Sequence, residues 1–202
     1  MTKTSKTSGW SSADKENDYL HRYPLNKYSF IVDIGSYVGN WLKHMNGIYG
    51  CRAIGVEPIH EYAEESKKIK FNNDVEIFNF GLTTGPDRDA LISFDNDASS
   101  IFKICEDKKT KTIHLKNAKS FFDSIKTKID LLQINAEGLE YELLPYLIDN
   151  KLIEEVDFLQ IQFHRIGKDS KSKMKSCIKM IERSGFSTTF QYPFIWYGAK
   201  RN

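Results

Sequence analysis

The sequence lacks any apolar run approaching the roughly 20 residues that a membrane-spanning helix needs. Its opening stretch, MTKTSKTSGWSSADKEN, has no hydrophobic segment of the kind a secretory leader carries. Cysteine is scarce: Cys51, Cys105 and Cys177 are odd in number, far apart and in no C-x-x-C pairing. That argues against a disulfide framework or a zinc site, and it fits three buried apolar thiols in a reducing compartment. Neither sign of charge dominates, with 29 basic and 27 acidic residues and a net charge of +2. A nucleic-acid partner would ask for a basic excess, so none is expected. No internal period repeats. These absences predict a soluble, cytoplasmic chain without a membrane span.

What is present suits an enzyme domain. A chain of 202 residues buries roughly 70% of its unfolded surface, enough for a sizeable core. Residues 1–17 are rich in Lys, Ser and Thr and predict a flexible lead-in or linker, with the domain proper over 18–202. Such a segment is either a free tail or a seam to a larger multidomain protein. Trp10 interrupts it and is read as a packing residue. From Tyr28 onward strand-like and helix-like patterns alternate: YSFIVDIG, GNWLKHMNGIYG, CRAIGVEP, HEYAEESKKIKF, DVEIFNFGL. After the turn TTGPDRD come short strand candidates in ALISF and KTIHL, then a short helix in SFFDSIKTK with Ser120 as its expected cap. IDLLQIN, LEYELLPYLIDN, VDFLQIQFH and DSKSKMKSCIKMIERSG continue the alternation, and FSTTFQY with FIWYGAK reads as a hairpin around Pro193. Alternation of this kind makes a largely parallel sheet with helices on both faces. The closing hairpin predicts an α/β, Rossmann-like, seven-stranded sheet, mostly parallel, of the type found in class I methyltransferases. Ligands in such folds lie beyond the carboxyl ends of the strands, where the strand order reverses.

The first βα turn carries the cofactor signal. Its pattern is Asp33-x-Gly35-x-x-x-Gly39, with Ser36 and Asn40 beside the glycines. A dinucleotide turn wants G-x-G-x-x-G, so that a pyrophosphate can approach the backbone. Here the third glycine is missing and a carboxylate precedes the turn. That suits a cofactor with an ammonium group and no phosphate, as in S-adenosylmethionine (SAM). Glu57, 22 residues after Gly35 and followed by Pro58, ends the second strand where an acid can accept both ribose hydroxyls. Its plainer reading is a charge at the next helix N-terminus, worth about 0.3–1 kcal/mol.

VDIGSYVGNW, GVEP, NFGL, DASSIF and above all IDLLQINAEGLEYELL resemble, in that order, the FkbM family of SAM-dependent methyltransferases. The resemblance runs from about Phe30 to His164. It implies methylation of a hydroxyl on a small molecule or sugar, so the acceptor expected is a sugar in a glycan or glycoconjugate, within a glycan-synthesis setting. The family motif K-x-D-x-E-G-x-E is altered here: Gln133 replaces the lysine and Asn135 the aspartate, while Glu137, Gly138 and Glu140 are kept. An amide can hydrogen-bond a hydroxyl but neither takes its proton nor binds a divalent cation well, so no metal is expected. Asn135 could equally be a helix cap.

Methyl transfer is an in-line displacement, and a base that removes the hydroxyl proton adds roughly 10²–10⁴-fold. Candidates are His164 at the end of the fifth strand, then Glu137, with Asp97 as a third. The loop from Asp95 to Ile101 is a candidate wall or lid, and its Ser99 and Ser100 match a serine pair of the family; plain turn chemistry would explain the same residues. Asn79 and Phe80 could flank the adenine, although Phe80 reads equally well as core. The C-terminal aromatics are mostly strand packing, and the basic helix face a solvated one. Three rival readings remain open: another small-molecule or RNA 2′-hydroxyl acceptor, an NAD-dependent oxidoreductase, and a catalytically silent SAM-binding module.

Overall fold

In the computed structural model, described residues are 18–95, 98–100, 110–192 and 196–202, with backbone alone at 93–95 and 98–100. Trp10 and the polar lead-in, Asp97, Cys105, Pro193, and the side chains of Ser99 and Ser100 lie outside that description.

The stretch FIVDI forms β1 (Phe30–Ile34), buried along its whole length. Both its faces are covered, which is why an unbroken apolar run rather than an alternating one stands there. Val32 and Ile34 join the larger core cluster and Ile31 the second. Helix α1 (Asn40–Tyr49) starts after Gly39 and stops at Gly50, both in the left-handed region, and the Gly50 N–H donates to the Asn46 carbonyl. Then follow β2 (Arg52–Val56), α2 (His60–Lys67) and β3 (Val75–Phe78). The second half supplies β8 (Ile129–Ile134), α4 (Glu140–Asp149), β9 (Val156–Gln162), α5 (Ser170–Arg183), β10 (Phe186–Gln191) and β11 (Trp196–Arg201). Helix α5 buries Met174, Cys177, Ile178 and Ile181 at helical spacing, so its lysines are left to face water.

These strands build a seven-stranded sheet in the order β10-β11-β9-β8-β1-β2-β3. Pairings among β3, β2, β1, β8 and β9 are parallel, and β11 runs antiparallel to both β9 and β10. The expected class I methyltransferase sheet with its terminal hairpin is therefore present. The order reverses between β1 and β8, which opens a crevice at their carboxyl ends.

Between the halves lies a second sheet. It comprises β4 (Gly81–Thr83), β5 (Arg88–Asp95), β6 (Ala98–Ser100) and β7 (Thr110–Asn117), in the order β4-β7-β5-β6. Two sequence expectations change here. DVEIFNFGL is not one strand: it splits at Asn79–Phe80, and Gly81–Thr83 leaves to pair with β7. Asn79 holds the split by donating from Nδ2 to the carbonyls of Glu57 and Pro58. A β-carbon at Gly81 would lie 2.7 Å from Leu115 and 3.3 Å from Pro58, so a side chain there would have to displace Leu115. Ser120 is not the cap of α3 (Ala118–Ser124). Asn117 is, its side chain accepting from the Ser120 N–H at 3.0 Å. Among the described residues no helix is long and apolar enough to cross a membrane.

Candidate functional site

A cavity of about 220 Å³ opens where β1, β2 and β8 end. Gly35, Glu57, Pro58, Asn135 and Glu137 line it from the main sheet, and Leu82, Ile92, Ile113 and Leu115 of the second sheet close it with an apolar wall. The turn after β1 is fixed by two N–H groups, of Gly35 and Ser36, that share the Val56 carbonyl at 2.9 and 3.1 Å. Gly35 has φ +83°, and a β-carbon on it would lie 2.0 Å from the Asn135 carbonyl oxygen. That close approach brings the β1 and β8 loops together. Tyr37 also takes a positive φ of 52°, a conformation disfavoured for a bulky side chain. Its N–H donates to Glu57 Oε2 and the Ile59 N–H donates to Oε1, both at 2.9 Å. Glu57 is thus clamped at the cavity wall. Gly39 is needed twice over, for its left-handed φ of +77° and because a β-carbon would lie 2.2 Å from Ser66 Oγ on α2.

Two buried carboxylates sit together at this end of the sheet. Burial pushes the Glu57 carboxyl up to about 7, against the pull of the Ile59 and Tyr37 N–H groups. Burial also pushes Asp33 up to about 7, with Gln133 drawing it down and the Glu57 charge adding to the rise. Asp33 Oδ2, Ser36 Oγ and Asn135 Oδ1 are buried without a hydrogen-bond partner. Orphaned acceptors beside apolar walls fit a ligand that brings its own donors and positive charge. A pyrophosphate would meet two carboxylates. An ammonium- and sulfonium-bearing nucleoside would be stabilised by them.

The loop after β8 is the second half of the site. Glu137 and Gly138 turn through positive φ, 48° and 112°. Glu140, fully buried, accepts from the Gly138 N–H at 2.8 Å, the His164 N–H at 2.7 Å and His164 Nδ1 at 3.2 Å. His164 Nε2 faces Glu137 at 3.3 Å. Burial alone would lower the imidazole, but Glu137 and Glu140 outweigh it and raise His164 to about 9. At neutral pH His164 therefore carries its proton, between two carboxylates. Asn135 does not cap α4, whose start has no side-chain cap and whose N-cap position is Leu139.

The model of the methyltransferase FkbM domain matches residues 33–191, from the aspartate of the first turn into β10. The chain belongs to the FkbM methyltransferase family. No curated protein matches it in sequence. Among solved structures it is similar to a putative rRNA-methylase from Clostridium thermocellum, at 12% identity over 94% of this chain and 95% of that one, with a TM-score of 0.61. Aeropyrum pernix fibrillarin in complex with natively bound S-adenosyl-L-methionine gives 12% identity, coverage of 94% and 74%, and a TM-score of 0.56. A precorrin-6y C5,15-methyltransferase from Geobacter metallireducens GS-15 gives 9%, 94% and 87%, and 0.54. Identities this low describe a shared fold. This FkbM chain is a methyltransferase, and its cofactor is SAM.

The FkbM cavity gathers five of the residues singled out in the sequence: Gly35, Glu57, Pro58, Asn135 and Glu137. Asp33 and Ser36 are buried beside it, and His164 lies behind Glu137. Gly39, Asn40, Asn79 and Phe80 stand outside its lining. Asn40 is the exposed first residue of α1. Asn79 secures the chain after β2, with Oδ1 3.1 Å from His60 Nδ1. Phe80, half-buried against the core, stacks on Phe78 and meets Phe121 edge-on, at 5.5 and 5.8 Å. Among the lining residues that escaped notice are Tyr37 and Tyr62, whose rings meet edge to face at 4.4 Å. Tyr37 lies inside the glycine turn itself, so its position was the available signal.

Proposed function

We propose that the chain is an O-methyltransferase that methylates a sugar hydroxyl, with Glu137 as the group that accepts the hydroxyl proton. When bound, SAM supplies an electrophilic methyl group on a sulfonium. Glu57 would hold the ribose hydroxyls, and Asp33 together with Asn135 Oδ1 would take the donors of the methionyl end. Gly35 keeps the turn close enough for these groups to converge, and the wall of Leu82, Ile92, Ile113 and Leu115 excludes water.

The observation that carries the reading is the pairing of Glu137 with a charged His164. Glu137 lines the cavity, and its Oε1 lies 3.3 Å from Nε2 of the imidazolium. His164 reaches the reacting space only through Glu137, and its proton is retained to about pH 9. This reverses the order expected from position alone, in which His164 came before Glu137. The Glu137 carboxylate would take the proton of the acceptor hydroxyl. Glu140 then keeps His164 oriented through Nδ1, so that Nε2 stays on Glu137.

A sugar acceptor is supported by the near-neutral charge of the chain and by the family. The test is transfer of labelled methyl from SAM to neutral oligosaccharides and, in parallel, to RNA at low and high salt. Labelling of the oligosaccharides, unaffected by salt, is expected. Labelling confined to RNA and lost steeply as salt rises would replace the sugar by a 2′-hydroxyl.

A further inference from the structure

Asp33, Gln133 and Gln160 are paired in register across β1, β8 and β9, all buried. Their side chains form one hydrogen-bonded line. Tyr23 Oη donates to Gln160 Oε1 at 2.7 Å, Gln160 Nε2 donates to Gln133 Oε1, and Gln133 Nε2 donates to Asp33 Oδ1 at 3.0 Å. The line has a direction, because a phenol has one hydrogen to give. With Tyr23 as donor, both amides must present their NH₂ groups toward Asp33. Reversing both amides would require a proton on Asp33 and would leave the Tyr23 hydrogen without this acceptor. Burial holds the Tyr23 hydroxyl far above the usual tyrosine range, so it stays a donor.

Tyr23 belongs to the segment before β1, and that segment is itself anchored. The Tyr23 N–H donates to Tyr49 Oη, which donates to the His21 carbonyl, and Trp41 Nε1 donates to the Leu20 carbonyl. Helices α1 and α2 bury Leu42, Met45, Asn46, Ala63 and Ser66, all uncharged. Among the described residues the charge bearing on Asp33 is that of Glu57.

We propose that Tyr23, Gln160 and Gln133 are a positioning relay that keeps Asp33 an anionic acceptor for the cationic end of the cofactor, so that the segment before β1 tunes cofactor affinity. The proposal rests on the reading of Asp33 as a cofactor-binding carboxylate. None of the three relay residues lines the cavity. They act by aligning dipoles on Asp33 across a low-dielectric core, where such chains polarise one another.

The test is calorimetric titration of the full chain with S-adenosylhomocysteine from pH 5.5 to 8.5, for the wild type, Tyr23→Phe, Gln160→Met and Asp33→Asn. Tyr23→Phe keeps the ring that meets Phe158 edge-on at 5.5 Å, so the variant retains that packing. Removing the donor disfavours the ionised carboxylate, so more alkaline solution is needed to reach it. Tyr23→Phe and Gln160→Met should each move the midpoint of the affinity profile up by about half to one pH unit. They should weaken binding about threefold to tenfold at pH 6.5, approach the wild type by pH 8.5, and combine with no further loss. Profiles superimposed on the wild type, with only the melting temperature lowered, would overturn the relay. Wild-type affinity in Asp33→Asn would instead remove Asp33 from the site, and the relay's role with it.

Discussion

The carbonyl oxygen of Asn135 occupies the space that a β-carbon on Gly35 would need, 2.0 Å away. The two residues end neighbouring strands, and the Asn135 N–H donates to the Ile34 carbonyl at 2.8 Å. Their contact brings together the turn after β1 and the loop after β8. Gly35→Ala must overcome both this overlap and a φ of +83°. It should cost at least about 2–4 kcal/mol in denaturant unfolding. An unchanged unfolding midpoint would mean that the loops separate without penalty.

Glu140 makes the comparable junction on the other side, joining the loops after β8 and β9 through three accepted hydrogen bonds. Glu140→Gln leaves His164⁺ without its buried partner and should destabilise by about 3–5 kcal/mol. It should also lower the pKa of His164, which NMR titration of the imidazole would detect. An unmoved imidazole resonance would show that Glu137 alone holds the charge.

His164 links stability to pH with a definite sign. Its folded value of about 9 lies above the ordinary 6.5, so its contribution is complete below pH 6.5 and is lost as pH rises through 9. Stability measured from pH 6.5 to 9 should fall in the wild type, and His164→Gln should remove that component of the fall. Identical slopes would assign the loss to other groups.

Asp33 and Glu57 act in a lower window. Their ordinary values are 3.8 and 4.5, and both are pushed to about 7 in the fold. The folded protein therefore holds protons that the unfolded chain has released, and stability declines as pH rises from about 4 to about 7. Asp33→Asn should flatten this decline in the protein without cofactor. A decline of full size in that variant would contradict the buried-carboxylate account.

Much of this was legible from periodicity. The buried run of β1, the glycine stops of α1 and the position of Glu57 at the end of β2 follow from local rules, and the largely parallel sheet with its closing hairpin follows from the alternation. The second sheet was not legible as such. ALISF and KTIHL read as strands, but nothing local says that Gly81–Thr83 abandons β3 to pair with Thr110–Asn117. Nor could spacing reveal that Gln133 and Gln160 touch. Contacts between residues 27 positions apart depend on strand register, and register is a property of the assembled sheet. His164 was found by its place at a strand end. Its charge state needed Glu140, which the sequence marks as a kept motif residue without showing that it meets His164.

The central claim is that the ends of β1 and β2 hold an S-adenosyl cofactor through a clamped carboxylate. Titration of the wild type and Glu57→Ala with S-adenosylhomocysteine, run beside NAD, tests it most directly. The account predicts binding of S-adenosylhomocysteine by the wild type, no binding of NAD, and at least about tenfold weaker binding by Glu57→Ala. Binding of NAD, or equal affinity in a folded Glu57→Ala protein, would contradict it.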